Sequence, residues 1–251
     1  MPNNKKSLWP LNKIDDCFAL KKLDMNSKGI NFSWELVPEL NKILKRTVTS
    51  ITIAPDARIS RNATIEGPVI IESKVAIQDY AKIVGPAYIC EGTIVGNCSL
   101  IRESFIGNNC VIGYLVDVAR SFLGNSCWSS RSHIADSVFG NNVNLGGGAV
   151  VTSLRLDNKT IGDTGLIKLG SLIGARTQIG ANAVIMPGTM IGSDCIIGPG
   201  VLLNENLPDG IFCEIKQTLI HKKNHTVYIP ETHSDFRKSL LKTATGRLSQ
   251  N

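Results

Sequence analysis

One histidine, His133, lies inside the long repetitive part of this sequence, and its side chain could act as a general base. An unperturbed imidazole titrates near pH 6.5, which suits a group that exchanges protons at neutral pH. His133 directly precedes Ile134, which belongs to the apolar repeat described below, so the two-residue alternation of a strand turns the imidazole outward. A substrate or a partner subunit can meet it there. The alternative interpretation is a solvent-exposed surface histidine.

Further polar residues lie where the repeat breaks, between Thr152 and Lys159. This stretch is too charged to form a wall of the repeat, so it predicts a loop at 152–160, and loops on rigid scaffolds often carry function. Arg155 and Asp157 could pair across the loop, a surface interaction of about 0–1 kcal/mol. Lys159 could contact a substrate or remain a solvated charge. Asn144, before the break, could contact a substrate or continue an outward row of asparagines.

The repeat itself is an aliphatic residue at every sixth position, with a small or β-branched residue two positions earlier. The aliphatic series consists of Ile53, Ile59, Ile65, Ile71, Ile77, Ile83, Ile89, Val95 and Ile101, and later Ile161, Ile167, Ile173, Ile179, Ile185, Ile191, Ile197 and Leu203. The small series includes Ala57, Ala63, Val69, Val75, Ala81 and Ala87, then Gly165, Ser171, Thr177, Ala183, Thr189 and Val201. Both series are expected to point inward.

Such a six-residue period predicts an all-β fold, a single-stranded parallel β-helix in which three hexads complete one triangular coil. Ordinary strands are separated by turns of varying length, which makes a chance series in another all-β fold improbable. Several steps in the middle shorten to five residues, from Ile101 to Ile106, Val118 to Leu123 and Ile134 to Phe139. These shortened corners are expected to change the local outline of the coil.

Composition agrees with one thin aliphatic core, since 43% of the 251 residues are hydrophobic and few are aromatic. The chain shows neither a membrane-length apolar run nor a secretory signal, which predicts a cytoplasmic protein without membrane contact. Cys110, Cys127 and Cys195 fall at small inward positions, so packing explains them better than disulfides or a metal, and no metal site is expected. The net charge of +6 resides mainly in the two ends, which favours solubility or phosphorylated ligands over nucleic acid.

The order of features divides the chain into three parts. Residues 1–50 form an N-terminal extension whose short amphipathic helix begins near Ser33 and runs towards Arg46. Residues 51–204 form the β-helix. Residues 205–251 contain a turn, a strand predicted over 211–220, a helix predicted over 234–242, and a tail.

Longer motifs resemble the acyltransferase half of archaeal and bacterial sugar-phosphate nucleotidylyltransferase and acetyltransferase proteins. The resemblance is carried by FSWELVPELNKIL before the coils, ADSVFGNNVNLGGG at 135–148, TSLRLDNK at 152–159, KLGSLIG at 168–174 and IMPGTMIGSDCIIGPGVLL at 185–203. It implies a left-handed β-helix assembled as a homotrimer, with acetyl-CoA or another acyl-CoA bound as cosubstrate between subunits. No glycine-rich, basic phosphate-binding stretch precedes Ile53, so nucleotidyl transfer is not expected.

The same resemblance suggests roles for individual residues. Relatives carry a histidine three residues before a tyrosine at the positions of Ser130 and His133, so the imidazole occupies the tyrosine's place here. Two basic positions of the family's phosphate site are Cys90 and Ala119, and Arg120 beside the second could reach the same anion.

An asparagine of the family's loop is replaced by Ser153. The predicted acceptor contacts are accordingly Arg120, Ser130, Asn144, Ser153 and Lys159, with His133 as the catalytic base.

Relatives lay the pantetheine arm along late coils against small residues, and Ala181 and Pro199 fall at such positions. Solenoid corners also need small residues or proline for packing alone.

Two functions fit these observations. The first is an acyl-CoA-dependent transferase that acetylates an amino sugar or sugar phosphate. The second is a catalytically silent trimeric scaffold or regulatory partner of a separate nucleotidyltransferase.

Overall fold

The computed structural model describes residues 22–23, 33–225 and 234–242. The chain divides into two compact units, Met1–Ile215 and Lys216–Asn251. Most of residues 1–32 of the N-terminal extension and the tail beyond 242 lie outside the described residues.

Short strands wind through the first unit and stack into three parallel sheets, here called faces A, B and C. Face A contains β1 (Thr52–Ile53), β4 (Val69–Ile71), β7 (Ala87–Ile89), β10 (Phe105–Ile106), β13 (Phe122–Leu123), β16 (Val138–Phe139), β19 (Leu172–Ile173) and β22 (Met190–Ile191). Face B contains β2 (Arg58–Ile59), β5 (Ala76–Ile77), β8 (Ile94–Val95), β11 (Val111–Ile112), β14 (Trp128–Ser129), β17 (Asn144–Leu145), β20 (Gln178–Ile179), β23 (Ile196–Ile197) and β25 (Phe212–Cys213). Face C contains β3 (Thr64–Glu66), β6 (Lys82–Val84), β9 (Leu100–Arg102), β12 (Asp117–Ala119), β15 (His133–Ala135), β18 (Val150–Val151), β21 (Val184–Ile185) and β24 (Leu202–Leu203). Each coil visits the faces in the order A, B, C, which confirms the predicted triangular β-helix.

The predicted inward positions form the core of the solenoid. From Ile71 to Ile101 and from Ile173 to Leu203 the aliphatic series is buried, and so are its small partners from Val69 onward. Cys110, Cys127 and Cys195 are buried as predicted. The first coil packs against a neighbour on one side, and Ile53 there is 41% exposed.

The hexad register is wrong at Ile161, Ile167 and Gly165. The chain leaves the coils after β18 and the ladder resumes at β19, so that Val138 pairs with Leu172 rather than with a residue one coil length ahead. Ile167 is exposed, and Ile161 is buried outside the solenoid rather than within it. The six-residue spacing of isoleucines continues through this stretch. The backbone there does not pair with the neighbouring coils, however, so the spacing does not place these side chains in the core of the solenoid.

This excursion is longer than the loop expected at 152–160. It runs from Ser153 to Leu169, whose backbone N–H donates to the Ser153 carbonyl over 2.9 Å at the base. A bridge between Leu154 and Lys168 continues the closure, and a 3₁₀ turn spans Gly162–Thr164.

The shortened corners predicted in the middle coils are present. Phe105 pairs with Phe122, and Phe122 in turn pairs with Val138 across a coil that is one residue shorter. One further five-residue step, from Ser129 to Ile134, escaped the sequence pattern because a serine occupies the wall position. The buried hydroxyls of Ser129 and Ser132 bond to each other there.

A helix covers the outside of face A. A 3₁₀ turn at Ser33–Glu35 leads into α1 (Leu36–Thr47), which confirms the predicted amphipathic helix. Its 12 residues extend about 18 Å, enough to cross about four stacked coils. It packs on a column of outward residues that includes Phe105 and Phe122, whose rings stack with centroids 5.0 Å apart. The apolar residues of α1 that are buried in this contact are Leu36, Val37, Leu40, Ile43 and Leu44.

The C-terminal part is less regular than expected. The strand predicted over 211–220 is reduced to β25, and the following described residues up to 225 have no regular structure. The predicted terminal helix is present as α2 (234–242). Neither described helix has the length and hydrophobicity that a bilayer crossing requires.

The cover over face A gives a stability prediction. Leu44 is fully buried under α1, so Leu44→Ala should lower the free energy of unfolding by about 2–5 kcal/mol through lost burial and a residual cavity. Leu156, in the excursion, is 99% exposed, so Leu156→Ala should change the free energy of unfolding by less than about 0.5 kcal/mol. Urea titrations of both variants provide the measurement. Equal effects would contradict the placement of α1.

Candidate functional site

The stacking of coils places His133 next to an acidic residue that is remote in sequence. β12 pairs with β15, so Asp117 lies directly beside His133 on the outside of face C. His133 Nδ1 lies 3.1 Å from Asp117 Oδ2, and the imidazole is 42% exposed. When Nδ1 donates its proton to the carboxylate, Nε2 is left with a lone pair that can accept a proton from a substrate.

Arg102 completes this cluster. Its Nη2 lies 3.3 and 3.4 Å from the two oxygens of Asp117, and its Nε is buried without a hydrogen-bond partner in the described part of the chain. The hydrogen bond with His133 lowers the pKa of Asp117, burial opposes that effect, and Arg102 lowers it further. Asp117 is therefore an ionised acceptor at neutral pH, which keeps the imidazole oriented.

Arg120 lies at the corner that connects face C to face A. Its Nε and Nη2 donate to the two carboxylate oxygens of Asp136 over 2.6 and 2.9 Å, and Asp136 is almost fully buried. This hydrogen-bonded pair raises the pKa of Arg120. Two of its donors are therefore already occupied by Asp136, so an external anion would have to compete with that carboxylate.

The excursion begins at the same corner and carries two more predicted contacts. Ser153 is part of its base, while Lys159 is exposed and donates its backbone N–H to Asp157 over 3.2 Å. The predicted pairing of Arg155 with Asp157 is confirmed, with contacts of 2.8 and 2.7 Å. That pairing holds the pKa of Asp157 well below its usual range.

Ser130, Ala181 and Pro199 lie at a different corner, the one between faces B and C. All three are exposed. Ala181 and Pro199 lie on successive coils, whereas the coil that carries Gly146 and Gly147 lies between Ser130 and Ala181. Asn144 lies on face B just before this corner, paired in the ladder with Trp128 and Gln178.

A cleft of about 410 Å³ runs along face B beside this corner. Asn144 and Pro199 line it, together with Phe212 from the last strand. The strands here end in glycines that allow close stacking, since a Cβ on Gly146 would lie 2.6 Å from the Ala181 nitrogen and one on Gly180 2.5 Å from the Pro199 nitrogen. Part of the wall therefore has no side chains, which leaves room for an extended ligand to lie close to the backbone.

The structure thus distributes the predicted residues over three places. His133 lies on face C. Ser130, Asn144, Ala181 and Pro199 lie at or beside the B–C corner, and Arg120, Ser153 and Lys159 lie at the C–A corner or in its excursion. Sequence reasoning missed Asp117 and Arg102, although Asp117 precedes His133 by the length of one shortened coil.

The depressed pKa of Asp117 gives a pH-dependent prediction. Its ionised form stabilises the folded protein above the unfolded pKa near 3.9, and this contribution is lost as the pH falls through the lower folded value. Asp117→Asn should therefore reduce the melting temperature at pH 7, and the difference from wild type should shrink below about pH 4. If Asp117 and His133 interact directly, Asp117→Asn should lower the free energy of unfolding less in the His133→Asn protein than in the wild type. Additive losses would contradict the pairing.

Comparisons with known proteins agree with this architecture. Residues 170–205 match the family model described as bacterial transferase hexapeptide (six repeats), and residues 47–161 match the model of the GMPPB C-terminal domain. The bifunctional protein GlmU of Methanococcus aeolicus is 32% identical over 240 residues, covering 81% of this chain and 54% of that protein. This chain therefore spans about half the length of such bifunctional relatives.

Two other relatives are similar. A bifunctional sugar-1-phosphate nucleotidylyltransferase/acetyltransferase of Sulfurisphaera tokodaii is 32% identical over 92 residues, covering 34% of this chain and 23% of that protein. The putative uncharacterized acetyltransferase YaiX of Escherichia coli K12 is 31% identical over 213 residues, covering 79% of this chain and 80% of that protein. With its hexapeptide coils and a match over about four fifths of both chains, the chain belongs to the family of hexapeptide-repeat, left-handed β-helix acyltransferases.

Proposed function

We propose that this protein transfers an acyl group, most simply acetyl, from acyl-CoA to the amine of an amino sugar or sugar phosphate. The observation that carries the proposal is the outward-facing pair of His133 and Asp117, since it provides an oriented base on the surface of the solenoid. Family membership and the sugar-phosphate relative support the reaction class. The proposal does not include nucleotidyl transfer.

His133 acts as the base in this mechanism. Its Nε2 takes a proton from the acceptor amine as the nitrogen attacks the thioester carbonyl, a C–N bond forms, and the C–S bond breaks. The departing CoA thiolate recovers the proton from the imidazolium. Asp117 stabilises the imidazolium while it exists, in the manner of other histidine–carboxylate pairs.

The cosubstrate binds along the cleft on face B. Its pantetheine arm lies against Pro199 and the neighbouring Ala181, where the glycine-ended strands leave the wall without side chains. Asn144 lines the same cleft and lies one coil from Trp128, which is two residues before Ser130, so we assign Asn144 to the acceptor end of the cleft. Ser130 contacts the acceptor at the corner above.

The site is completed by a neighbouring subunit in a homotrimer. Arg120, Ser153 and Lys159 lie on the far side of face C from Ser130, and Lys159 can approach an acceptor bound to another copy. An exposed apolar strip on face B supports such an association. It consists of the exposed Ile94 and Trp128 with the partly buried Val111 between them, and of the exposed Tyr114 and Leu115 at the adjacent corner.

The trimer has a direct test. Three chains of 27.1 kDa give about 81 kDa by light scattering after gel filtration. Trp128 is the largest side chain of the strip and is 58% exposed, so Trp128→Asp should shift the mass towards the monomer by placing an unpaired charge in the interface. Leu219→Asp, outside the coils, should leave the mass unchanged. A monomeric wild-type protein contradicts the shared site.

A catalytically silent scaffold is the second candidate, and the two replaced family positions favour it. Cys90 is buried under the α1 cover, where burial raises the pKa of its thiol, and Ala119 is fully buried. Neither can contact a phosphate. The acceptor is therefore held differently from that of the relatives, or no acceptor is turned over and the chain supports a separate nucleotidyltransferase.

Activity separates the two functions. The protein is mixed with acetyl-CoA and a panel of amino sugars and their phosphates, and free CoA is followed. His133→Ala should lower kcat about 10²- to 10⁴-fold, because a positioned base contributes about that factor. His221→Ala, outside the coils, is the matched control and should retain full activity. Turnover that survives His133→Ala would refute the base assignment, and failure to bind acetyl-CoA in calorimetry would favour the scaffold.

A further inference from the structure

A one-residue shortening of the B–C corner at Ser130–Ser132 places Arg131 in an unusual position. The equivalent turn one coil earlier needs one more residue, since Val111 to Asp117 is six steps and Trp128 to His133 is five. Arg131 adopts a left-handed conformation, with φ of 47°. Its N–H donates to the Tyr114 carbonyl over 2.8 Å, and its carbonyl accepts from the Gly148 N–H over 3.0 Å. Both neighbouring coils therefore fix its backbone.

The side chain of Arg131 lies across the next coil. A Cβ on Gly147 would be 3.2 Å from Arg131 Nη2, so the absence of a side chain at Gly147 leaves room for the guanidinium. Gly146 and Gly148 flank it, which makes a ledge without side chains under the arginine.

The charge of Arg131 is not compensated by a carboxylate as it is in Arg102, Arg120 and Arg176. Arg120 and Arg176 each make two short bonds to one aspartate. Within the described ranges, Arg131 makes no ion pair and no side-chain hydrogen bond, and it is exposed. An exposed guanidinium with free donors, held on a rigid turn, is suited to binding a phosphate through two parallel hydrogen bonds.

Arg131 also lies where the acceptor must bind. It separates Ser130 from Ser132 and is two residues before His133, and the ledge beneath it leads to Asn144 and the face B cleft. An anion at Arg131 therefore lies at the corner that directly precedes the strand carrying His133. Neither Cys90 nor Ala119 can serve as a phosphate anchor, and Arg120 is engaged by Asp136.

We infer that Arg131 is the anion anchor of the acceptor site, so that the acceptor is a phosphorylated amino sugar whose amine faces His133. This inference rests on the proposed acyl transfer for the identity of the ligand. The phosphate contact itself is a property of the folded chain that can be measured without turnover.

The experiment is calorimetry on the full chain with three probes: glucosamine 1-phosphate, glucosamine and inorganic pyrophosphate. Wild type should bind the two phosphorylated probes more tightly than glucosamine. Arg131→Asn, which tolerates the left-handed backbone, should weaken binding of both at least tenfold and leave glucosamine unchanged. Arg131→Lys should lose less affinity than Arg131→Asn, because lysine keeps the positive charge although it lacks the planar pair of donors.

Arg176→Asn is the matched control, since Arg176 is also left-handed, with φ of 61°, and exposed at another corner. It should bind all three probes like wild type. Wild-type protein that binds neither phosphorylated probe, or Arg131→Asn protein that binds them unchanged, would overturn the inference. Arg131-dependent binding without CoA release would leave the anchor standing and refute acyl transfer. CoA release with no preference for phosphorylated acceptors would support acyl transfer and refute the anchor.

Discussion

The hydrogen-bonded ladder between successive coils is the constraint on which the rest of this structure depends. Each strand contributes only two or three residues, so a strand is held by the peptide groups of the coils on either side, at about 4.8 Å. Because the ladder is parallel and in register, each residue lies over its equivalent one coil earlier. Side chains therefore form columns, and each column needs a consistent chemical character over many coils.

These columns explain both the core and the candidate site. The inward columns must be apolar, and where Ser129 and Ser132 interrupt them the two hydroxyls satisfy each other. The outward column of face C brings Asp117 to His133, and shortened corners then determine which neighbouring groups flank that pair. Face A is closed by α1, which buries Cys90. Chemistry on the described part of the solenoid is thereby confined to faces B and C and to the corners beside them.

The sequence was most informative for the interior. Period six identified the buried aliphatic residues from Ile71 to Ile101 because a narrow core tolerates few residue types. The same period misled at Ile161 and Ile167, since spacing alone does not reveal whether the backbone remains in the ladder. Contacts between outward side chains were harder to predict. To place Asp117 beside His133 one must know the number of residues in the coil between them, and the shortened corner hides that number because a serine replaces the aliphatic residue of the wall. The apolar outward column under α1 escaped sequence reasoning, because a whole coil or more of chain separates each of its members from the next.

The excursion between β18 and β19 divides the solenoid into two stretches with different folding problems. Elsewhere each new coil pairs with the one completed just before it, whereas Val138 must wait for about twice that length of chain before its partner Leu172 arrives. Doubling a loop raises the entropy cost of closure by about 0.6 kcal/mol, and the layers stabilise only their immediate neighbours. Growth of the stack therefore slows at this seam by a factor of about three, while the pairing of β16 with β19, β17 with β20 and β18 with β21 keeps the two stretches in one stack.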